Sequence, residues 1–245
     1  SLRRILSGGA PIAPEVVREI MRVFRCEYVQ TYGMTEASPF LTMSLLKQHL
    51  QALPAAEQFA YRAKTGRAFL AVELDVVGDD GVSIAHDGCA VGEIRARGPT
   101  VMSGYWRRPE ETARALVDGW LCTGDLATID AEGYLQIVDR AKDMIISGGE
   151  KVYSTEVEHV LYEHPSVLEA AVFGVPDDIW GEAVRAAVSL RHGCLASERE
   201  LIDFCRARLT HYKCPRAIEF LAELPKTCTA KIQKKALRER YSGAS

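Results

Sequence analysis

The chain has 245 residues, 47% of them hydrophobic and 26% charged, with a net charge of -3. That is enough apolar material for one large core or two small ones, and the charge balance excludes long-range attraction to nucleic acid or an anionic membrane. The seven cysteines are odd in number and none form a Cys-x-x-Cys pair, which points to reduced thiols in a cytoplasmic protein, and no apolar run reaches the roughly 18 residues a membrane-spanning helix needs.

The chain opens at Ser1-Leu2-Arg3-Arg4-Ile5-Leu6, without Met and already inside a predicted strand, so it reads as a piece of something longer. Leu2–Leu6 is expected to be a short buried strand. Pro14 to Phe24 follows as a helix with Val16, Val17, Ile20, Val23 and Phe24 on its apolar side. A second strand, Glu27–Gln30, then runs into Thr31-Tyr32-Gly33-Met34-Thr35-Glu36. Strand, helix and strand in this compass imply a parallel crossover. Both glycine-containing loops then leave the carboxyl ends of neighbouring strands, where open α/β sheets bind ligands.

From about residue 68 to 138 the pattern turns β-rich. Val72–Val76 and Gly92–Ala96 alternate, and a short helix starts at Pro109-Glu110-Glu111 and ends at Asp118-Gly119. Leu126–Ile129 and Tyr134–Val138 form a hairpin around Asp130-Ala131-Glu132-Gly133. After about Lys142 the chain becomes α+β. A helix with a Thr155-x-x-Glu158 capping box carries Val157, Val160 and Leu161 inward. Strands follow at Val167–Phe173 and Val184–Leu190, then a helix capped by Ser197-x-x-Glu200, a strand at Ala217–Leu221, a loop at Pro225–Ala230 and a basic terminal helix. The expected division is therefore 1–141, with an α/β part at 1–67 and a β-rich, barrel-like part at 68–141, followed by a small α+β domain at 142–245.

Four polar segments carry chemistry, each with a plainer alternative. In Thr31–Glu36, Tyr32 offers a flat face, Thr35 a hydroxyl and Glu36 a hard oxygen ligand, which suit adenine, a phosphate oxygen and Mg²⁺; a solvated turn is the alternative. Thr123-Gly124-Asp125, placed just before a strand, presents a carboxylate able to accept both hydroxyls of a ribose, or is a turn. Ser147-Gly148-Gly149-Glu150 makes a hairpin turn or lets a thin ligand pass the backbone. The loop Pro225-Lys226-Thr227-Cys228-Thr229-Ala230-Lys231-Ile232 ends in an ammonium that can offset charge at an α-phosphate, or that is simply solvated.

The order and wording of these segments resemble one family. Tyr-Gly-Met-Thr-Glu at 32–36, Tyr105-Trp106-Arg107-Arg108-Pro109 and Gly119-Trp120-Leu121-Cys122-Thr123-Gly124-Asp125 are consecutive signatures of the adenylate-forming superfamily, which holds acyl-CoA synthetases, adenylation domains and luciferases. So are Asp139-Arg140-Ala141-Lys142-Asp143-Met144-Ile145, Gly148-Gly149-Glu150 and Leu224-Pro225-Lys226-Thr227…Lys231-Ile232. The resemblance runs over essentially the whole chain.

It implies a ligase that joins a small-molecule carboxylic acid to CoA at the expense of ATP, through an acyl-adenylate. Gly8, Gly9 and Ala10 would lie along the adenine. Tyr32, Gly33, Met34 and Thr35 would hold adenine and α-phosphate, Glu36 would hold Mg²⁺, and Asp125 with Arg140 would hold the ribose. Lys231 would bridge the carboxylate and α-phosphate. The small C-terminal domain is mobile in the family, with Lys142 at its hinge, and Gly148, Gly149, Tyr212 and Arg216 match segments near which CoA docks. Ala230 departs from the family's usual glycine. The family's phosphate loop precedes the residues matched here, so the 245-residue chain alone is expected not to adenylate an acid. Alternatives are a fatty-acyl-AMP ligase, a peptide-synthetase-type adenylation domain and, in another class, a non-catalytic binding fragment. A homo-oligomer is compatible with all of these.

Overall fold

The computed structural model describes residues 2–227 and 231–242, and divides into two compact units, Ser1–Val138 and Asp139–Ser245. In the first, β1 (Arg4–Gly8) leads into α1 (Pro14–Phe24) and then β2 (Glu27–Gly33), which pairs with β1 in parallel, Arg4 against Glu27 through Gly8 against Thr31. β3 (Phe40–Met43) and β4 (Arg67–Ala68) complete this sheet in the order β1-β2-β3-β4, and α2 (Ala55–Ala63) lies between them in sequence. Both expected glycine-containing loops therefore leave neighbouring strand ends, at Gly8 and at Gly33.

Burial in this region corrects two expectations. β1 is an edge strand and largely exposed, with Leu2 and Leu6 open to solvent. On α1, Val17 is buried and packs with Tyr28, Ala63 and the partly buried Ile20 and Met21, whereas Val16, Val23 and Phe24 are exposed. The helix presents one apolar side to β2 and α2, and its other apolar positions face solvent.

The second sheet is a curled antiparallel one in the order β5-β6-β8-β7, with β9 added to β8. Its strands are β5 (Glu73–Val77), β6 (Gly92–Arg97), β7 (Leu116–Val117), β8 (Trp120–Ile129) and β9 (Leu135–Arg140), and α3 (Pro109–Ala115) precedes β7. Asp118-Gly119 is a hairpin turn between β7 and β8, not the end of α3. Both residues have positive φ, 50° and 80°, the backbone that a two-residue hairpin matching strand twist requires. Val76, Ile94, Ala127 and Leu135 form one core cluster, and Ala37, Leu41, Val72, Ala96 and Leu121 another.

The second unit is built on the sheet β11-β10-β13-β12 with β14 parallel to β13. Its strands are β10 (Ile145–Ser147), β11 (Glu150–Val152), β12 (Val167–Asp177), β13 (Gly181–Leu190) and β14 (Ala217–Phe220). Its helices are α4 (Ser154–Glu163), α5 (Glu198–Arg206) and α6 (Lys234–Tyr241). Successive residues of β12 point to opposite faces, and both faces are covered. Ala170 and Val172 pack with α4 and α5 residues such as Val157 and Leu201, while Ala171, Phe173 and Val175 pack with Leu224 and with Leu237 of α6.

Ser197 and Glu200 form the expected capping box at α5. Thr155 and Glu158 do not: the N-cap of α4 is Tyr153, and Glu158 turns inward to pair with Lys234 at 2.7 Å and accept the Val172 N–H at 2.7 Å. The Lys234 ammonium and the Val172 N–H take that carboxylate in place of the helix end. Cys228 and Ala230 lie outside the described residues. Among the described cysteines, Cys26, Cys205 and Cys214 are buried, and for the last two burial pushes the Cys205 thiol up to about 12 and raises that of Cys214. Thiolate is the reactive form, so an alkylating reagent near neutral pH should label exposed Cys89 first and reach these two only after unfolding, an order that mass spectrometry would read. No described helix is long and apolar enough to cross a membrane.

Candidate functional site

Where β1 and β2 end side by side, side chains of β2 fix the loop after β1. Tyr28 donates its hydroxyl to the Gln30 side-chain oxygen at 2.6 Å, Gln30 donates its amide to the Ala10 carbonyl at 2.7 Å, and Thr31 donates to the Ser7 carbonyl at 3.0 Å. Tyr28, Gln30 and Thr31 are buried, so these bonds are made away from competing water. In front of them lies a cleft of about 320 Å³ lined by Leu6, Ser7, Gly8, Gly9, Thr31, Gly33, Pro39 and Phe40. It is open, concave and bordered by backbone, which suits a flat heterocycle.

The chain then doubles back. Met34 donates its N–H to the Pro39 carbonyl at 2.8 Å, a turn of 3-10 helix covers Thr35–Ala37, and Met34 packs toward the Leu41–Leu121 cluster with Thr35 exposed. Tyr32, one residue before Gly33, donates its hydroxyl to Asp125 Oδ2 at 2.7 Å. Asp125 is buried, and it lies inside β8 instead of before a strand. Opposite it, Glu93 pairs with Leu126 and Arg95 with Cys122, so Thr123, Gly124 and Asp125 together oppose Ile94 in a bulge. Bulges re-aim side chains at functional positions, and this one sends Asp125 to Tyr32. Glu36 accepts the Tyr105 hydroxyl on Oε1 at 2.9 Å, and its backbone carbonyl accepts the Met102 N–H at 2.8 Å. Hydrogen bonding to that carboxylate, then burial, raise the Tyr105 phenol above its ordinary value.

In the second unit, exposed Arg140 ends β9 and Lys142 sits in the next turn, closed by the Asp143 and Met144 N–H groups donating to the Arg140 carbonyl at 2.9 and 3.0 Å. The exposed Lys231 stands at the base of its loop, where Lys226 and Ile232 bridge; the Thr227 N–H donates to the Lys231 carbonyl at 2.8 Å and the Lys231 N–H to Thr227 Oγ1 at 3.2 Å.

Gly148 and Gly149 form a two-residue hairpin turn between β10 and β11, with φ of 61° and 85°. Gly148 also lies flat against Trp180, where a Cβ would come 2.7 Å from the ring. The Arg216 guanidinium stacks over the same Trp180 ring, 4.6 Å from its centroid. Trp180 and Arg216, together with Ser147, Arg206, His211 and Tyr212, border a cleft of about 340 Å³. Tyr212 and Arg216 line this cleft, and Gly148 touches it through Trp180. Trp180, Arg206 and His211 escaped sequence reasoning, as did Gln30 and the role of Tyr105; nothing in their local pattern marks them, because each is defined by a partner distant along the chain.

The described residues provide a parallel strand pair ending in an open cleft, a buried carboxylate held by Tyr32, and a separate small unit bearing an exposed loop lysine. The chain belongs to the AMP-binding enzyme family: residues 1–106 match the family's model, and residues 156–231 match the model of the AMP-binding enzyme C-terminal domain. The probable CoA ligase CCL11 of Humulus lupulus is 42% identical over 96% of this chain and 42% of its own length. The feruloyl-CoA synthase of an Amycolatopsis species is 41% identical over 98% of this chain and 47% of its own. Among solved structures, the o-succinylbenzoate CoA synthetase of Bacillus subtilis in complex with its acyl-adenylate superposes with a TM-score of 0.82 at 35% identity, covering 96% of this chain and 46% of that one. The chain spans about half the length of the curated relatives it matches.

The donor set tests whether a divalent cation fits. Mg²⁺ keeps most of its waters and asks a protein for one or two carboxylates beside substrate phosphates. Glu36 meets that demand: its Oε1 is steadied by Tyr105, and its other oxygen makes no hydrogen bond among the described residues.

Proposed function

We propose that the whole protein is an AMP-forming carboxylic acid:CoA ligase, and that this chain supplies its adenine and ribose contacts, its adenylation lysine and its thiol-side surface. The carboxylate oxygen of the acid attacks the α-phosphorus of ATP and pyrophosphate leaves. The sulfur of CoA then attacks the acyl carbon of the adenylate, AMP leaves and the thiol proton passes to solvent. The observation that carries the reading is the Tyr32–Asp125 hydrogen bond, which joins the adenine-loop motif to the ribose motif across 93 positions of sequence.

In this reading Gly8, Gly9 and Ala10 lie along the adenine edge, Tyr32 stacks on its face and Thr35 donates to the α-phosphate. Asp125 accepts the ribose hydroxyls, assisted by Arg140, and Lys231 neutralises charge on the attacking carboxylate and the α-phosphate. Glu36 would hold Mg²⁺, which when bound offsets phosphate charge. Lys142 is the pivot of the second unit, and Gly148, Gly149, Tyr212 and Arg216 receive CoA. A cytoplasmic setting belongs to the same reading, supported by cysteines without pairing spacing.

The test is a panel of aliphatic and aromatic acids offered to the whole protein, scoring pyrophosphate release and thioester with and without CoA. Acid-dependent pyrophosphate release followed by a CoA thioester supports the reading; release with no thioester would mark an acyl-AMP ligase instead. For the thiol side, Gly148→Ala is expected to slow thioester formation from supplied acyl-adenylate roughly 10-fold and leave adenylation near normal. The new methyl must displace Trp180 and occupy a positive φ. Stopped-flow measurement of each half-reaction would check this.

A further inference from the structure

Lys234 is placed where its charge does nothing for its own helix. It is the first residue of α6, followed by Lys235, and cations in the first turn oppose the helix dipole. Its side chain is only 15% exposed, and it spends its donors inside the second unit: on Glu158 at 2.7 Å and on the Ser154 hydroxyl. Ser154 in turn donates its hydroxyl to Asp139 Oδ2 at 2.7 Å, and its N–H goes to the same oxygen. One turn further along α6, Arg238 holds Asp143 at 2.7 Å. Lys234 and Arg238, four residues apart on α6, thus reach the two ends of the turn that contains Arg140 and Lys142, Lys234 through Ser154 and Arg238 directly.

The other end of this arrangement is Lys231. Only Ile232 and Gln233 separate it from Lys234, and neither gives slack. Ile232 bridges Lys226 and packs against the cluster of Leu224 and Leu237. Gln233 donates its N–H to the Pro225 carbonyl and its side-chain amide to the Lys226 carbonyl, each at 2.8 Å. A displacement at Lys234 therefore passes to the base of the Lys231 loop. An ion pair this deep adds little net stability over an apolar pair of similar volume, but it fixes geometry.

We infer that Lys234 is a positioning residue for adenylation: through Glu158, Ser154 and Asp139 it locks the base of the Lys231 loop to the Arg140–Lys142 turn, so that the loop and the turn move as one piece. This rests on the reading of Lys231 as the adenylation lysine. The experiment compares Lys234→Met, Lys234→Arg and the pair Lys234→Met with Glu158→Gln in the whole protein, with Lys231→Ala as reference.

For Lys234→Met the expected result is a roughly 100-fold fall in kcat for acid-dependent ATP–pyrophosphate exchange, the cost of a misplacement of about 1 Å, with KM for ATP little changed. Thioester formation from supplied acyl-adenylate stays within about twofold, and Lys234→Arg restores most of the exchange. The double variant removes the stranded carboxylate, so it should fold with a thermal midpoint near that of the parent and still fail to adenylate. Equal loss of both half-reactions, normal adenylation by the folded double variant, or failure of both Met variants to fold overturns the inference and leaves Lys234 a purely structural residue. A Lys231→Ala protein that still adenylates overturns the underlying reading instead, whatever Lys234 does.

Discussion

Replacing Lys231 with alanine in the whole protein is expected to lower acyl-adenylate formation roughly 1000-fold, the upper range for removing one preorganised charge stabiliser. Thioester formation from supplied acyl-adenylate should continue near its starting rate. The asymmetry follows from where charge develops. A carboxylate attacking an α-phosphate brings anion to anion, and the ammonium lowers that barrier without any covalent part in it. The thiol step brings no anion to the phosphorus: its bonds form and break at the acyl carbon, and the charge that AMP carries away develops on a leaving group. The substitution should also leave the fold intact, since Lys231 is exposed and its loop is held by backbone bonds and by Thr227 and Gln233. ATP–pyrophosphate exchange and a direct thioester assay measure the two steps separately; equal loss of both would refute the assignment.

Gly33→Ala is expected to abolish nucleotide binding and to destabilise the first unit by about 3 kcal/mol, the high end for an overpacked site. A Cβ on Gly33 would lie 1.8 Å from the Pro39 carbonyl oxygen and 2.7 Å from its carbon. Both are backbone atoms, so no side-chain rotation relieves the clash. Pro39 and Phe40 must move away, and with them go the Met34 N–H bond to Pro39 and two walls of the cleft that also holds Gly8 and Gly9. Thr35 and Glu36, carried on the same turn, lose their places. Equilibrium titration with a fluorescent ATP analogue and a thermal melt would register both effects; unchanged nucleotide affinity would show that the cleft is not the adenine site.

What the sequence made legible was local. α1 runs from Pro14 to Phe24 as the proline and the apolar spacing predict, and the Ser197 capping box forms. The same Ser/Thr-x-x-Glu pattern failed at Thr155 because Lys234, 76 positions beyond Glu158 by sequence number, claims the glutamate. β12 was expected to stop at Phe173, yet it continues through Gly174 and Pro176 to Asp177. β12 is an edge strand, so a missing proline N–H costs no ladder bond there. The motifs of the site were visible as words, and the family resemblance supplied their roles. The bulge that turns Asp125 toward Tyr32, and the ring of Trp180 under Gly148, depend on register and packing across the chain, which spacing alone does not encode.

One helix ties folding to catalysis. α6 begins three residues after Lys231 and seals one face of the second unit's sheet, with Leu237 buried beside Leu224 and Tyr241 stacked 5.9 Å from Phe173. A truncated version ending before Lys234 would bare that apolar face to solvent, forfeit the unit's solubility and leave the lysine loop untethered. Inactivity of such a deletion would therefore speak of a collapsed scaffold, and only point substitutions can separate the chemist's residue from the builder's.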